Sequence, residues 1–155
     1  MTNYLLSNLD TIGVKRWQTA RIESALPAAG AFDSAPIEMY CSEKDTVTFY
    51  GTYTRGAEGG EVVLRVQFSP HAEDVAGNNW FIPTLYDADD VTAGANSVSL
   101  VQAEDFSYTA TGANAESFVY GPIRIDTDAQ RCRVIAAENN VERTPGTLEV
   151  IAKYN

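Results

Sequence analysis

The strongest constraint on the fold is an alternation of apolar and polar side chains in the middle of the chain, interrupted only by Val63. In residues 62–69, which read VVLRVQFS, an apolar side chain stands at every second position. The apolar set is Val62, Leu64, Val66 and Phe68, and the polar set is Arg65, Gln67 and Ser69. Successive side chains of a β-strand leave on opposite faces, so this pattern predicts a half-buried antiparallel strand.

A second segment of the same kind lies just before it. Residues 46–54 read TVTFYGTYT and are rich in the β-branched and aromatic residues that strands favour. The predicted inward set is Val47, Phe49, Gly51 and Tyr53. The glycine-rich residues 55–61 that follow predict a hairpin joining the two strands.

The C-terminal part of the chain predicts another strand pair. Residues 131–137 and 147–154 alternate again, with inward sets Cys132, Val134, Ala136 and Leu148, Val150, Ala152, Tyr154. Pro145-Gly146 suits the centre of a type II turn and predicts a second hairpin. Weaker patterns predict strands at 80–86, 97–103, 106–111 and 117–125, the last with a break near Gly121-Pro122.

The N-terminal part of the chain shows no regular period. Pro27 and Gly30 interrupt any regular element there. We therefore predict an all-β chain with an irregular N-terminal arm or lead-in over residues 1–36. Residues 37–155 would form a single antiparallel β-sandwich or jelly roll, a size that suits one domain.

Charge and cysteine usage exclude several classes of protein. The 11 basic and 21 acidic residues give a net charge of −10, the wrong sign for binding nucleic acid or an anionic membrane surface. Cys41 and Cys132 lie in apolar segments and are predicted to be buried free thiols, with one bridge between them as the alternative. The first residues lack the features of a secretory signal, so we expect synthesis in the cytoplasm.

Few residues suggest a catalytic or metal-binding site. The single histidine, His71, has no partner motif for nucleophilic catalysis, and the composition provides no zinc site. Asp87, Asp89 and Asp90 would offer oxygens to Ca²⁺, but a solvated loop is the simpler interpretation. Glu104, Asp105 and Glu116 are the best carboxylates for acid–base catalysis. We predict no catalytic, cofactor or metal site, and hence no enzyme.

Some of the aromatic residues are candidates for a ligand-binding surface. Trp80, Phe81, Tyr86 and Tyr120 are the residues that would form a platform for a sugar or a protein partner. Trp80 alternates with Ile82, however, which favours a position in the core. The platform is the weaker of the two interpretations.

Two segments resemble a known family. Residues 48–70 read TFYGTYTRGAEGGEVVLRVQFSP, and residues 133–155 read RVIAAENNVERTPGTLEVIAKYN, with Trp80 between them. This combination of a tyrosine-rich strand ending in a TRG turn and a terminal hairpin with a TPG turn resembles small virion proteins of tailed bacteriophages. Those proteins are β-sandwiches or jelly rolls that decorate or cement the capsid exterior, generally as trimers.

The resemblance implies a function in the virion. It suggests a homotrimer that binds the major capsid protein on the outside of the capsid and bridges its subunits. The N-terminal arm would extend to the capsid and bind it through Tyr4, Leu5, Leu6, Leu9, Ile12, Val14 and Trp17. The alternatives are a phage tail or fibre receptor-binding module and a carbohydrate-binding β-sandwich domain.

Overall fold

The computed structural model describes residues 17–56, 60–87, 99–102, 105–125, 128–139 and 144–155. These residues form ten β-strands and one short 3₁₀ turn, Ala28–Gly30. The strands are β1 Trp17–Ala25, β2 Met39–Tyr40, β3 Thr46–Thr54, β4 Glu61–Ser69, β5 Thr84–Asp87, β6 Ser99–Gln102, β7 Phe106–Thr109, β8 Glu116–Arg124, β9 Arg131–Glu138 and β10 Thr147–Tyr154.

Eight of the strands form two antiparallel sheets. The first sheet has the order β1-β10-β3-β8, and the second sheet has the order β2-β9-β4-β7. Strands β5 and β6 pair only with each other, as a separate hairpin between β4 and β7. The prediction of an all-β sandwich is confirmed.

The pairing of the eight strands identifies the topology. Without the β5–β6 hairpin, the first strand pairs with the last, the second with the seventh, the third with the sixth and the fourth with the fifth. The chain is thus one long antiparallel hairpin, wrapped so that consecutive strands lie in opposite sheets, except for β4 and β7, which pair with each other in the second sheet. This is the jelly-roll arrangement, the second of the two architectures predicted from the sequence.

The core lies between the two sheets. All the inward residues predicted for 46–54, 62–69, 131–137 and 147–154 are buried. Gly51 faces the Phe118 ring so closely that a Cβ at this position would overlap the ring. Cys41 and Cys132 are both buried and free, as predicted.

Both predicted hairpins are wrong. Strand β3 pairs with β10 and β8, while β4 pairs with β9 and β7, so residues 55–61 cross from one sheet to the other. The turn at Pro145-Gly146 crosses in the same way, because β9 and β10 lie in different sheets. Glycine and proline signal that the chain reverses, but not whether the next strand pairs beside the last or packs across the core from it.

The weaker strand predictions need correction. Residues Trp80 to Pro83 precede β5, which begins only at Thr84, and the backbone of Phe81 pairs instead with that of Phe68. Strand β8 continues through Gly121-Pro122, where the chain was expected to break, and its pairing with β3 shifts register nearby. An edge strand tolerates such irregularity because one side makes no ladder bonds.

Residues 17–25, which the sequence placed in the irregular arm, form the edge strand β1. Strand β1 pairs with β10, with register shifts after Thr19 and after Arg21. These irregularities remove the period-2 pattern, which explains why the strand could not be predicted from periodicity.

Candidate contact face

The outer faces of the two sheets differ. On the second sheet, the guanidinium group of Arg65 lies 4.4 Å from the Phe32 ring centroid, and that of Arg133 lies 4.1 Å from the Trp80 ring centroid. Ile135 points outward from the same sheet and is nevertheless buried. The segments that carry Phe32 and Trp80 therefore cover part of this outer face, while Tyr40 of β2 stays 57% exposed.

The outer face of the first sheet is open by comparison. Trp17, Tyr50 and Val119 are 40%, 38% and 53% exposed there. We call this surface the contact face. Its residues, chosen from the outward positions of the four strands and without the exposed Arg124 at the end of β8, are Trp17, Thr19, Thr48, Tyr50, Thr52, Ser117, Val119, Glu149, Ile151 and Lys153. Thr48 is the buried member of this set.

Strand register makes the apolar residues of the contact face continuous. Ile151 pairs with Tyr50, and Tyr50 pairs with Val119, which places the three side chains in one row across β10, β3 and β8. The Trp17 ring lies 5.7 Å from the Tyr50 ring, and Lys153 Nζ lies 5.1 Å from the Trp17 centroid. The ammonium group is held over the indole by a cation–π contact.

The contact face is poor in charge. Of its ten residues only Glu149 and Lys153 are charged, although the whole chain carries 21 acids. Aromatic side chains surrounded by uncharged polar groups are typical of the centre of a protein–protein interface. The arrangement can bury apolar surface against a partner.

A buried arginine fixes the edge of this face. The Arg21 guanidinium binds Asp33, with Nε to Oδ2 at 3.0 Å, and donates to the carbonyls of Leu148 and Ala25. Asp33 also accepts from the backbone N–H of Ala136 in the second sheet, at 3.0 Å. Strand β1 is thereby tied to both sheets, so Trp17 lies at the start of a well-anchored strand.

A second buried group joins the two crossing turns. The Glu138 carboxylate accepts from Tyr53 Oη at 2.5 Å, from the Gly146 N–H at 2.6 Å and from the Gly56 N–H at 3.3 Å. Burial and the neighbouring Glu138 carboxylate raise the pKa of Tyr53. This network is structural: it connects the ends of β3, β9 and β10.

Of the predicted partner-binding residues, the structure describes one. Trp17 lies on the contact face, whereas Tyr4, Leu5, Leu6, Leu9, Ile12 and Val14 lie outside the described residues. The sequence analysis missed Tyr50, Val119 and Ile151. Tyr50 and Ile151 occupy outward positions in strands whose inward sets were correctly predicted. The alternation of these strands could therefore have predicted that both side chains point outward.

The carboxylates considered for catalysis have other partners. Asp105 forms a two-point ion pair with Arg65, at 2.8 and 2.9 Å. Glu116 accepts from the N–H and hydroxyl of Thr111, the N–H of Gly112 and the hydroxyl of Tyr108. These bonds, led by those from Thr111, lower the pKa of Glu116 to about 2, which does not suit a general acid at neutral pH. Glu104 lies outside the described residues.

The remaining predicted sites give no metal centre in the described part of the chain. His71 contributes its carbonyl oxygen, which accepts from Arg131 Nε at 2.7 Å. Asp87 ends β5, and Asp89 and Asp90 lie outside the described residues. No group of three or more His, Cys, Asp or Glu side chains is placed to hold an ion among the residues that the structure describes.

The suggested aromatic platform does not form around Trp80 and Tyr120. Trp80 packs against Arg131 and Arg133 on the second sheet. Tyr120 stacks between Phe49 and Phe106, with centroids 6.0 and 4.7 Å away. Phe81 is exposed, and Tyr86 belongs to the separate β5–β6 hairpin.

Comparisons with known proteins give one distant structural match to report. No protein-family model matches the chain, and no curated protein matches it in sequence. A chain from the structure of infectious bursal disease virus, Gx strain, is similar with a TM-score of 0.44 and 13% identity. The match covers 89% of this chain and 32% of that one, so this chain spans about a third of its length. Within the described residues, no helix is long and apolar enough to cross a membrane.

Proposed function

We propose that this chain is a non-enzymatic structural protein of a bacteriophage virion. It binds the outside of the capsid and stabilises the shell by bridging subunits of the major capsid protein. Two observations support the class of function: the sequence resembles small phage virion proteins at 48–70 and 133–155, and the topology is a jelly roll, a fold that viral capsid proteins use. A fold alone hosts many functions, so the site must carry the argument.

The observation that carries the proposal is the position of Trp17. It is the last of the predicted partner-binding residues in the N-terminal arm, and it lies beside Tyr50 on the contact face. The first 16 residues therefore join the body at an apolar surface rather than at a charged one. In this proposal, the contact face and residues 1–16 both bind the major capsid protein.

Bridging explains how such a protein would strengthen a shell. In this proposal the body binds one capsid subunit and residues 1–16 bind another. Once the first contact has formed, the second is intramolecular, so the overall affinity exceeds that of either contact alone. A homotrimer would repeat this arrangement around a three-fold position and present the same patch to each neighbour. The proposed form of the protein on the capsid is this homotrimer.

The test is binding to purified capsids that lack the protein. We expect the wild-type chain to co-sediment with them in hundreds of copies per particle and to raise their resistance to heat. The variant Trp17→Ala/Tyr50→Ala removes two aromatic anchors, each worth about 2 kcal/mol if central to the interface. Loss of one such anchor weakens Kd about thirtyfold.

A matched control separates the contact face from exposed aromatics in general. Phe81 is 48% exposed but lies beside the second sheet, so Phe81→Ala should bind as the wild type does. Equal loss in both variants would argue against the contact face. A handful of copies at the tail would instead indicate a tail or fibre module, and a glycan-array signal without capsid binding would indicate a carbohydrate-binding domain.

A further inference from the structure

We infer that Cys41 and Cys132 are an oxidisable pair, which a low-molecular-weight disulfide converts to one disulfide bond between the end of β2 and β9. The inference concerns a modification site inside the core and does not depend on the proposed function. The two residues are the cysteines of this chain. Both are buried and carry free thiols in the structure.

Strand register brings the two cysteines together. Met39 of β2 pairs with Cys132 of β9. The backbone N–H of Cys41 donates to the carbonyl of Gln130 at 3.0 Å, so the pairing of the two segments continues through Cys41. Side chains alternate along the chain, so Cys41 points to the same face as Met39. Cys41 and Cys132 are therefore diagonal neighbours on the inner face of the second sheet.

The two thiols are in contact. A hydrogen bond between them, together with burial, raises the pKa of Cys41. Cys132 Sγ also lies 3.4 Å from the hydroxyl oxygen of Tyr154, which belongs to β10 of the facing sheet. A sulfur atom accepts a hydrogen bond weakly. The Tyr154 hydroxyl therefore keeps a partner when the Cys132 thiol becomes part of a disulfide.

Closure of the bond requires a small shift of the backbone. A disulfide holds its two Cα atoms about 4.4–6.8 Å apart, whereas diagonal neighbours of an antiparallel pair are about 7–8 Å apart. Cys132 is held firmly, because β9 pairs with β2 on one side and with β4 on the other. Cys41 follows a two-residue edge strand and precedes a turn. The shift therefore falls on Cys41.

Oxidised glutathione supplies the chemistry in two exchange steps. A cysteine thiolate of the chain attacks one glutathione sulfur, which forms a mixed disulfide and releases one glutathione thiolate. The second cysteine thiolate attacks the protein sulfur of the mixed disulfide and releases the other glutathione. The chain loses two protons and two electrons, and the glutathione disulfide is reduced to two thiols. Burial makes the reaction slow, because the reagent reaches the thiols only when the segment around β2 opens.

The bond stabilises the protein in an oxidising medium. Thiol pools of the cytoplasm keep such pairs reduced, and oxidation becomes favourable outside the cell. A link between residues 41 and 132 closes most of the chain into one loop, which restricts the unfolded state more than the folded state. The oxidised protein therefore unfolds at a higher temperature than the reduced protein.

Controlled oxidation of the purified, full-length protein tests the pair. One sample is kept reduced with dithiothreitol and another is incubated with oxidised glutathione. Each is then unfolded in guanidinium chloride with iodoacetamide. We expect two alkyl groups on the reduced chain and none on the oxidised chain, whose mass is lower by two hydrogen atoms. The Tm of the oxidised protein should be higher by about 5–15 °C.

Cys41→Ala and Cys132→Ala are the matched controls, because each keeps one thiol and cannot form a bond within the chain. Oxidised glutathione should not raise the Tm of either variant. Three results overturn the inference: both thiols remain free after prolonged oxidation, the bond joins two copies of the chain, or the oxidised protein is no more stable than the reduced one. An equal rise in a control variant contradicts it as well. Capsid binding enters none of these measurements, so a failure here leaves the proposed function standing.

Discussion

At the scale of single residues, two carboxylates organise the loops of this jelly roll. Glu138 is buried and has three donors from the two crossing turns. Glu116 is held at the turn between β7 and β8 by donors from Thr111, Gly112 and Tyr108. The sequence analysis considered Glu116 for acid–base catalysis and did not single out Glu138, because nothing in a local pattern shows which acid will meet several donors.

Removing the Glu138 carboxylate should destabilise the fold strongly. Glu138→Ala leaves the Tyr53 hydroxyl and the N–H groups of Gly56 and Gly146 without their acceptor. A buried donor without a partner costs about 1–3 kcal/mol, so we expect a total loss of at least about 3 kcal/mol. The free energy of unfolding from urea denaturation measures it. The control Glu149→Ala, on the contact face, should change the free energy by less than about 0.5 kcal/mol; equal losses would contradict the assigned network.

The low pKa of Glu116 predicts a pH dependence with a definite sign. Folding lowers this pKa from 4.5 to about 2, so the carboxylate stabilises the protein above pH 4.5. The contribution is lost as the pH falls from 4.5 towards 2, because the unfolded state takes up the proton in this range while the folded state does not yet do so. Glu116→Gln should therefore be less stable than the wild type at pH 6, and the difference should shrink by pH 2.5.

Unfolding curves at several pH values test this expectation for Glu116. Glu23→Gln, at an exposed position of β1, is the matched control and should change the free energy of unfolding by less than about 0.5 kcal/mol at pH 6. A gap between Glu116→Gln and the wild type that stays constant over this pH range would show that the Thr111 and Gly112 bonds do not hold the charged form.

At the scale of strands, the sequence predicted correctly which side chains point into the core, but not which strands pair with each other. The inward residues of β3, β4 and β10 follow from period-2 alternation, since one side of each strand is buried. Pairing depends on non-local contacts, so the connections at 55–61 and Pro145-Gly146 looked like hairpins although they cross between sheets. The contact face was missed for a related reason: it exists only when β1, β10, β3 and β8 are placed side by side.

The close approach of β3 and β8 can be tested by a double-mutant cycle. Gly51→Ala forces a Cβ into the Phe118 ring, and overpacking of this kind costs about 1–3 kcal/mol. Phe118→Ala alone leaves a cavity and costs about 3–5 kcal/mol. We expect the double variant to be more stable than the sum of the two losses predicts, because the small side chain at 118 makes room for the new methyl group. Strict additivity would show that Gly51 and Phe118 do not constrain each other.

At the scale of the whole molecule, the central feature is the difference between the two outer faces. Segments that carry Phe32 and Trp80 cover part of the second sheet, although Tyr40 of β2 stays exposed, whereas Trp17, Tyr50 and Val119 are exposed together on the first sheet. The sequence predicted a body that adheres to neighbours through its N-terminal arm. The topology adds which side of the body would do so, since β1 delivers that arm to the first sheet.

A three-dimensional reconstruction of capsids incubated with this protein tests the account most directly. The account predicts jelly-roll bodies at repeated positions on the outer surface, with the contact face turned towards the major capsid protein and each body touching more than one subunit. Bodies that dock through the second sheet, or a shell without added density, would contradict it.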